Sequence, residues 1–330
     1  MAEKRVGSPD SSDAAGSELL AASSPSGLQV QVAPRRKSYF SSPSFTGLAY
    51  MLPAILLLAL IILFPIAYSF NLTFRSFSLV LPGRTGQWAG LENYVRLAAD
   101  AHFRHALGLT GLFTLLAVVV EVALGVFIAY LLNSVRFGQR LLTSLLLIPT
   151  ILTPVVIGLM FNFMFNAQFG LFSYLLGLTG FPLKDGVLNN PSTAFAAVVL
   201  IDVWEWMPFI ALIVLAGMQA IPEQPLEAAR MDGANHWQLF WNIMLPMLRP
   251  VLSVAVLFRA AEAIREFDKV YILTGGGPGS ATEVADLYLY RVSFNNWDLS
   301  YGATLGLVMF AVSMVAAVFY FRLTTQKQEL

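Results

Sequence analysis

Apolar residues along this chain fall in long blocks, and six blocks reach the length of a membrane crossing: about 48–70, 106–133, 141–165, 193–219, 250–273 and 300–321. A hydrocarbon core about 30 Å thick takes roughly 20 apolar residues in a helix, since lipid offers no partner to an open backbone N–H or C=O. The pattern predicts an all-α polytopic membrane protein with six transmembrane helices. Residues 1–46 are rich in Ser, Ala, Gly and Pro and have little apolar surface to bury. They are expected to form a disordered cytoplasmic tail, and the first apolar block starts too deep in the chain for a cleaved signal peptide. Residues 47–104 then form the first transmembrane helix with its outer loop. Residues 105–325 carry five more helices, with a polar insertion at 220–248 between the fourth and fifth.

Charge sets the orientation. With the N-terminus inside, the inside segments carry eleven Lys and Arg and the outside segments six, an asymmetry that favours both termini in the cytoplasm. The 220–248 insertion is then cytoplasmic too. Composition agrees with burial in lipid: of 330 residues 57% are hydrophobic and 12% charged, about half the charged share of a soluble domain. The formal net charge is zero, which gives no basic surface for nucleic acid. Without cysteine there is no disulfide or thiol chemistry, and three histidines make no metal site. The outer connections 71–105, 166–192 and 274–299 hold Gly, Pro and aromatic residues; Trp88 and Trp297 among them suit anchors at the membrane interface.

Within the insertion, Pro225 suits a helix start, Glu227 places an acid in the first turn, and Gly233 permits a bend. Trp237, Phe240, Trp241 and Met244 then recur at helical spacing. Periodicity alone leaves two readings open, a docking element or an amphipathic pair lying on the bilayer surface. The residues themselves carry more. Glu227-Ala228-Ala229, then Asp232-Gly233-Ala234, then Ile243, one spacer and Leu245-Pro246 resemble, in order and spacing, the EAA loop of bacterial ABC-importer permeases. Asp202 to Phe209, Phe267 to Pro278 and Phe294 to Gly302 resemble the carbohydrate branch of that superfamily, the sugar and glycerol-3-phosphate permeases related to the first maltose-permease subunit. The likeness runs from about residue 45 to 325.

That resemblance implies a type I ABC importer permease fold in the bacterial inner membrane. Its implied partners are a second homologous permease, two cytoplasmic ABC ATPases and an extracytoplasmic sugar-binding protein. ATP and Mg would sit on the ATPases, with no cofactor on this chain, which lacks G-x-x-x-x-G-K-[ST]. The coupling residues carried over are Glu227, Ala228, Ala229, Asp232, Gly233, Ala234, Ile243, Leu245 and Pro246.

The fifth block holds Arg259, Glu262, Arg265, Glu266, Asp268 and Lys269. A charge facing lipid at the bilayer centre costs about 2.5–3.5 kcal/mol, so these groups pair or face a cavity. Continuous helix would bring Glu262 to Arg265 and Arg265 to Asp268. Two readings stay open. In one, ion pairs fix the bundle. In the other, Glu262, Glu266 and Asp268 accept from sugar hydroxyls and Phe267 and Tyr271 stack on the ring, while Arg265 would serve a phosphate or carboxylate. Asp202, Trp204, Glu205 and Trp206 form a second cluster that Pro208 is expected to kink; Trp204 and Glu205 join the candidate path. Glu121, Asn162 and Asn166 rank below, as contacts between helices.

Acidic and aromatic groups favour a neutral sugar, oligosaccharide or polyol; glycerol-3-phosphate or an acidic sugar is the alternative. A secondary transporter would leave the EAA-like loop without a purpose, and no internal repeat supports one. A membrane enzyme would need a nucleophile with a base or a metal-ligand spacing, and neither occurs.

Overall fold

The computed structural model describes residues 43–80, 86–135, 137–179 and 186–325. Most of the expected tail, with Arg35-Arg36-Lys37, lies outside the described residues. The first helix, α1 (Pro43–Thr73), starts earlier than expected, so residues 43–46 are helical and not tail. Contacts divide the chain into a unit ending at Ile61 and a second from Ile62 onward. In the first unit α1 is an unbroken apolar helix, exposed along nearly its whole described length.

In the second unit, the end of α1 leads to a short antiparallel hairpin, β1 (Arg75–Ser76) with β2 (Gln87–Trp88), and a helix α2 (Glu92–Ala99). Asn93, buried on α2, donates to the carbonyls of Thr73 at 2.8 Å and Arg75 at 3.1 Å, satisfying groups that the end of α1 leaves open. Asp100 then caps α3 (Ala101–Ser134) by accepting from the Phe103 N–H at 3.0 Å. Its other oxygen accepts from the hydroxyls of Tyr288 at 2.6 Å and Tyr301 at 2.5 Å. Burial pushes the Asp100 carboxyl up, but these hydrogen bonds outweigh it and hold the group below its ordinary range. One cap thereby ties the start of α3 to two later elements.

The core forms where α3 meets α8 (Pro191–Gln219). Phe113, Ala117, Glu121, Gly125 and Ala129 recur every fourth residue and are all buried, a stripe of mostly small side chains that lets helices approach closely in lipid. A Cβ at Gly125 would lie 2.7 Å from Cγ2 of Ile210 and 3.1 Å from the Ala211 nitrogen. Three apolar clusters follow. One joins α3, α8 and the outer elements, one surrounds Met218, Phe240 and Leu248, and one surrounds Phe103 and Tyr301.

The third block is not the single helix expected over 141–165. It comprises α4 (Gln139–Leu146), α5 (Ile148–Ile151) and α6 (Pro154–Met164). Pro154 has no N–H to give and pushes the residue before it out of helical geometry; Leu152 and Thr153 are extended, with ψ of 143° and 142°. Five helices among the described residues are long and apolar enough to cross a membrane, and α6 is a shorter apolar helix. After α6 come α7 (Leu171–Leu178), a 3₁₀ turn at Val187–Asn189, and α8. Pro208 lies inside α8, which continues through it to Gln219.

The insertion and the fifth block also differ from expectation. α9 (Glu223–Met231) begins after Pro222, so Glu223 is the acid in the first turn, Pro225 is its third residue and Glu227 sits in the second turn. The second piece is not separate. α10 (His236–Leu239), a π turn at Phe240–Met244 and α11 (Leu245–Ala263) run on as one span of 28 residues. The fifth block then breaks at 264–267. The Arg265 N–H bonds to the Glu262 carbonyl at 3.0 Å and that of Glu266 to Ala263 at 3.3 Å, a tighter turn than α, before α12 (Asp268–Leu273). α13 (Ala285–Tyr290), a second π turn and α14 (Leu299–Thr325) complete the chain.

Gly125→Leu is expected to lower the melting temperature of the purified protein, because overpacking a tight contact costs about 1–3 kcal/mol. Gly108→Leu is the control, since nothing lies within 4 Å of a Cβ there. Equal melting of the two variants would show that the α3–α8 approach does not limit stability.

Candidate functional site

At the centre of the second unit six charged side chains from α3, α8, α11, α12 and the 264–267 turn meet out of contact with solvent. Arg259 on α11 reaches Glu121 on α3 with Nε to Oε2 at 2.7 Å and Nη2 to Oε1 at 3.0 Å, a two-pronged contact. The same guanidinium contacts Asp202 on α8. Lys269 on α12 lies 2.6 Å from Asp202, 2.7 Å from Glu205 and 2.9 Å from Glu266, so the three donors of its ammonium each meet a different carboxylate. The Lys269 backbone N–H also donates to Glu266 at 3.2 Å. All six residues are buried. Asp202 and Glu205 share a face because they are three apart on α8. Glu266 and Lys269 are likewise three apart, with Glu266 in the 264–267 turn, which no Pro or Gly in the sequence marks.

These contacts sort the candidate path residues into two sets. Glu205 and Glu266 belong to the buried network, with Arg259, Lys269, Asp202 and Glu121, which sequence reading left off the path. Glu262, Arg265, Asp268 and Tyr271 are exposed. The pairs expected of a continuous helix, Glu262 with Arg265 and Arg265 with Asp268, are not among the ion pairs of the described residues, because the helix ends at Ala263 and the spacing is lost. Trp204 packs edge-on against Phe161, with ring centroids 5.3 Å apart. Phe267 stacks on Tyr271 at 5.4 Å, and both meet Tyr290. A second aromatic row was not singled out by sequence: the Arg259 guanidinium lies 5.0 Å from the Trp206 ring, followed by Phe209 and Phe258. Its only signal was Trp206 within the Asp202–Trp206 cluster.

Glu262 near the end of α11 and Arg265 just past it line a groove of about 610 Å³ with Asp286 of α13 and Phe310 of α14. Burial pushes the Asp286 carboxyl up to about 6, only partly offset by the Arg265 guanidinium.

The coupling residues form a turn with a defined cap. Gly233 has φ of 85°, its N–H bonds to Arg230 at 3.1 Å and the Ala234 N–H to Ala229 at 2.9 Å, the paired closure of a Schellman motif. Asn235 and Gln238 exchange bonds at 2.8 and 2.9 Å as a capping box for α10. Glu227, Ala228, Asp232 and Gly233 are exposed, Ala229, Ala234, Ile243, Leu245 and Pro246 half-buried. Trp237 and Trp241 face outward at 71% and 56% exposure, while Phe240 and Met244 of the same stretch are buried against Met218 and Leu248. The aromatic face expected of this piece is thus divided, one half anchoring the loop and the other left open.

Lys269→Met removes the single partner that three buried carboxylates share. Breaking a buried pair costs about 3–5 kcal/mol, so the yield of folded protein from membranes should collapse; normal yield and melting would show that the carboxylates do not depend on the ammonium. Asp286 supplies a pH test. Its folded carboxyl holds a proton more tightly than the ordinary 3.8, so its contribution to stability is complete below that value and is lost as pH rises through about 6. Wild type should lose more melting temperature than Asp286→Asn over that window, and parallel curves would refute the assignment.

Comparison with known proteins places this geometry. The family described as "Binding-protein-dependent transport system inner membrane component" matches residues 121–327. The sulfoquinovosyl glycerol transport system permease protein SmoG of Agrobacterium fabrum is 38% identical over 280 residues, covering 83% of this chain and 89% of that protein. The trehalose/maltose transport system permease protein MalF of Thermococcus litoralis is 33% identical over 276 residues, covering 84% and 92%. Among solved structures, a bacterial ABC transporter involved in import of the acidic polysaccharide alginate has a chain that superposes with a TM-score of 0.75 at 18% identity, covering 86% of this chain and 96% of that one, a likeness of fold. With its apolar membrane-length helices and these relatives, the chain belongs to the inner-membrane permease components of binding-protein-dependent ABC transport systems.

Proposed function

We propose that this chain is one of two permease subunits of an ATP-driven importer that takes a neutral sugar, oligosaccharide or polyol from an extracytoplasmic binding protein. The observation that carries the reading is the continuous span from His236 to Ala263. Its 28 residues extend about 42 Å at 1.5 Å per residue. One end, just after the turn at Gly233, carries the exposed Trp237 and Trp241; towards the other lies Arg259, inside the ion network. A push on that end runs along one helical span to the network.

In this reading two ABC ATPases dock at the turn and carry the ATP and Mg, and both termini are cytoplasmic, with the broken third segment crossing as a sixth span. Glu227, Ala228, Ala229, Asp232, Gly233 and Ala234 form the dock. Ile243, Leu245 and Pro246 seat it on the bundle. The substrate path uses the exposed Glu262, Arg265, Asp268 and Tyr271 with Phe267 and Trp204, while Glu205 and Glu266 set the field behind them. Relatives named for trehalose, maltose and sulfoquinovosyl glycerol support a saccharide class. The exposed acids Glu262 and Asp268 disfavour an anion and suit hydroxyl donors.

The test is coupling in proteoliposomes holding the complete transporter. Charge reversal at Glu227 should cost what losing one partner of an interfacial charge pair costs, about 2–5 kcal/mol, or roughly thirtyfold and more in coupled rate. Gly233→Pro forces φ to about −65° where +85° is needed and deletes the N–H bonded to Arg230. Both variants should insert normally yet lose uptake and substrate-stimulated ATP hydrolysis. Wild-type uptake by both would exclude the dock.

A further inference from the structure

A pocket of about 420 Å³ opens where the end of α6 meets the 3₁₀ turn before α8 and the end of α12. Among the described residues its lining carries no charge. Asn162, Asn166, Gln168 and Asn189 supply side-chain amides, and Phe165 and Leu273 supply apolar wall. This is the reverse of the centre of the bundle, where every polar side chain in the network is ionic. The volume falls in the range of about 300–1,000 Å³ usual for small-molecule sites. By the orientation proposed above, the pocket opens on the outer side, ahead of the charged core.

The chemistry is specific. An amide both donates and accepts, as a sugar hydroxyl does, and the amides of Asn162, Asn166 and Gln168 around one concavity can meet vicinal hydroxyls without favouring either sign of charge. Two of the amides are held in place by their own bonds. Asn162 Nδ2 donates to the Leu273 carbonyl at 3.1 Å, which leaves its oxygen as an acceptor. Asn166 Oδ1 takes the Gln168 N–H at 2.9 Å, which leaves its amide nitrogen as a donor. The Phe165 ring is fixed by Phe161 and Phe172 at 6.0 and 5.2 Å. Rigid groups of this kind lose little freedom when a ligand arrives.

Resting on the saccharide reading above, we propose that this pocket is an entry subsite that binds the hydroxyl face of an uncharged pyranose before it reaches the ion network. An anionic sugar finds no cation among the described residues of the lining. Asn162 also links the pocket to transport, because the carbonyl it holds ends α12, the helix that carries Lys269.

The test uses the assembled transporter in nanodiscs without binding protein or ATP, read by saturation-transfer NMR with D-glucose and with D-glucose 6-phosphate as anionic probe. Glucose ring protons should receive saturation and the phosphate should receive far less. Asn166→Asp keeps the acceptor for the Gln168 N–H but places a charge in the pocket, and Gln168→Leu removes one amide. Each should weaken the glucose signal about three- to tenfold, the range for losing one neutral hydrogen bond. Equal signals from both sugars, or an unchanged glucose signal in both variants, would overturn the proposal. So would variants that lose capture of the binding protein while keeping glucose, since the pocket would then receive protein. The readout involves no hydrolysis and so fails or succeeds independently of the coupling test.

Discussion

Asp202, held between Arg259 and Lys269, is the contact on which the bundle depends. In a membrane, an ionised side chain without a partner costs about 2.5–3.5 kcal/mol even on insertion scales, and here six such groups share one dry centre. Each cation touches more than one carboxylate, so no helix among α3, α8, α11 and α12 can rotate or slide without stranding a charge on another. Buried pairs of this type add little net stability over well-packed apolar groups but fix arrangement strongly. Apolar surface alone could not do so, because lipid solvates Leu on any face of a helix equally well.

The network also sets the character of what surrounds it. Four carboxylates face two cations, so the centre leans towards acid. Groups that donate hydrogen bonds without carrying negative charge suit its margins, and Trp206 already lies against the Arg259 guanidinium there. The amide pocket at the end of α6 differs in kind: its described lining carries amides and no charge.

Much of this was legible in the sequence, and the rest was hidden for identifiable reasons. Long apolar blocks gave the five long helices because lipid imposes their length. The loop was legible in its turn chemistry, for Gly233 takes the left-handed φ that its position demanded. The start of α9 was misplaced because Pro222 and Pro225 both resemble a first-turn proline, and the chain uses the earlier one as the cap. The third block was misread as one helix although Pro149 and Pro154 stood in it, since apolar length hid them. Glu121 looked isolated because its partner Arg259 lies 138 positions away. No local pattern marks the turn at 264–267 either: beyond it Lys269 reaches Asp202 and Glu205 on α8, contacts with residues far away in the sequence.

That turn has a further consequence for how motion travels. A closely packed core deforms little and shifts between discrete arrangements. The span from His236 to Ala263 is anchored near its cytoplasmic end by Phe240 and Met244 and further along by Arg259, so it must move with α3 and α8 as one body. Glu262, near the end of that span, and Arg265, just past it, line a groove with Asp286. The span is therefore held in the bundle by its buried charges, while Glu262 near its end is exposed.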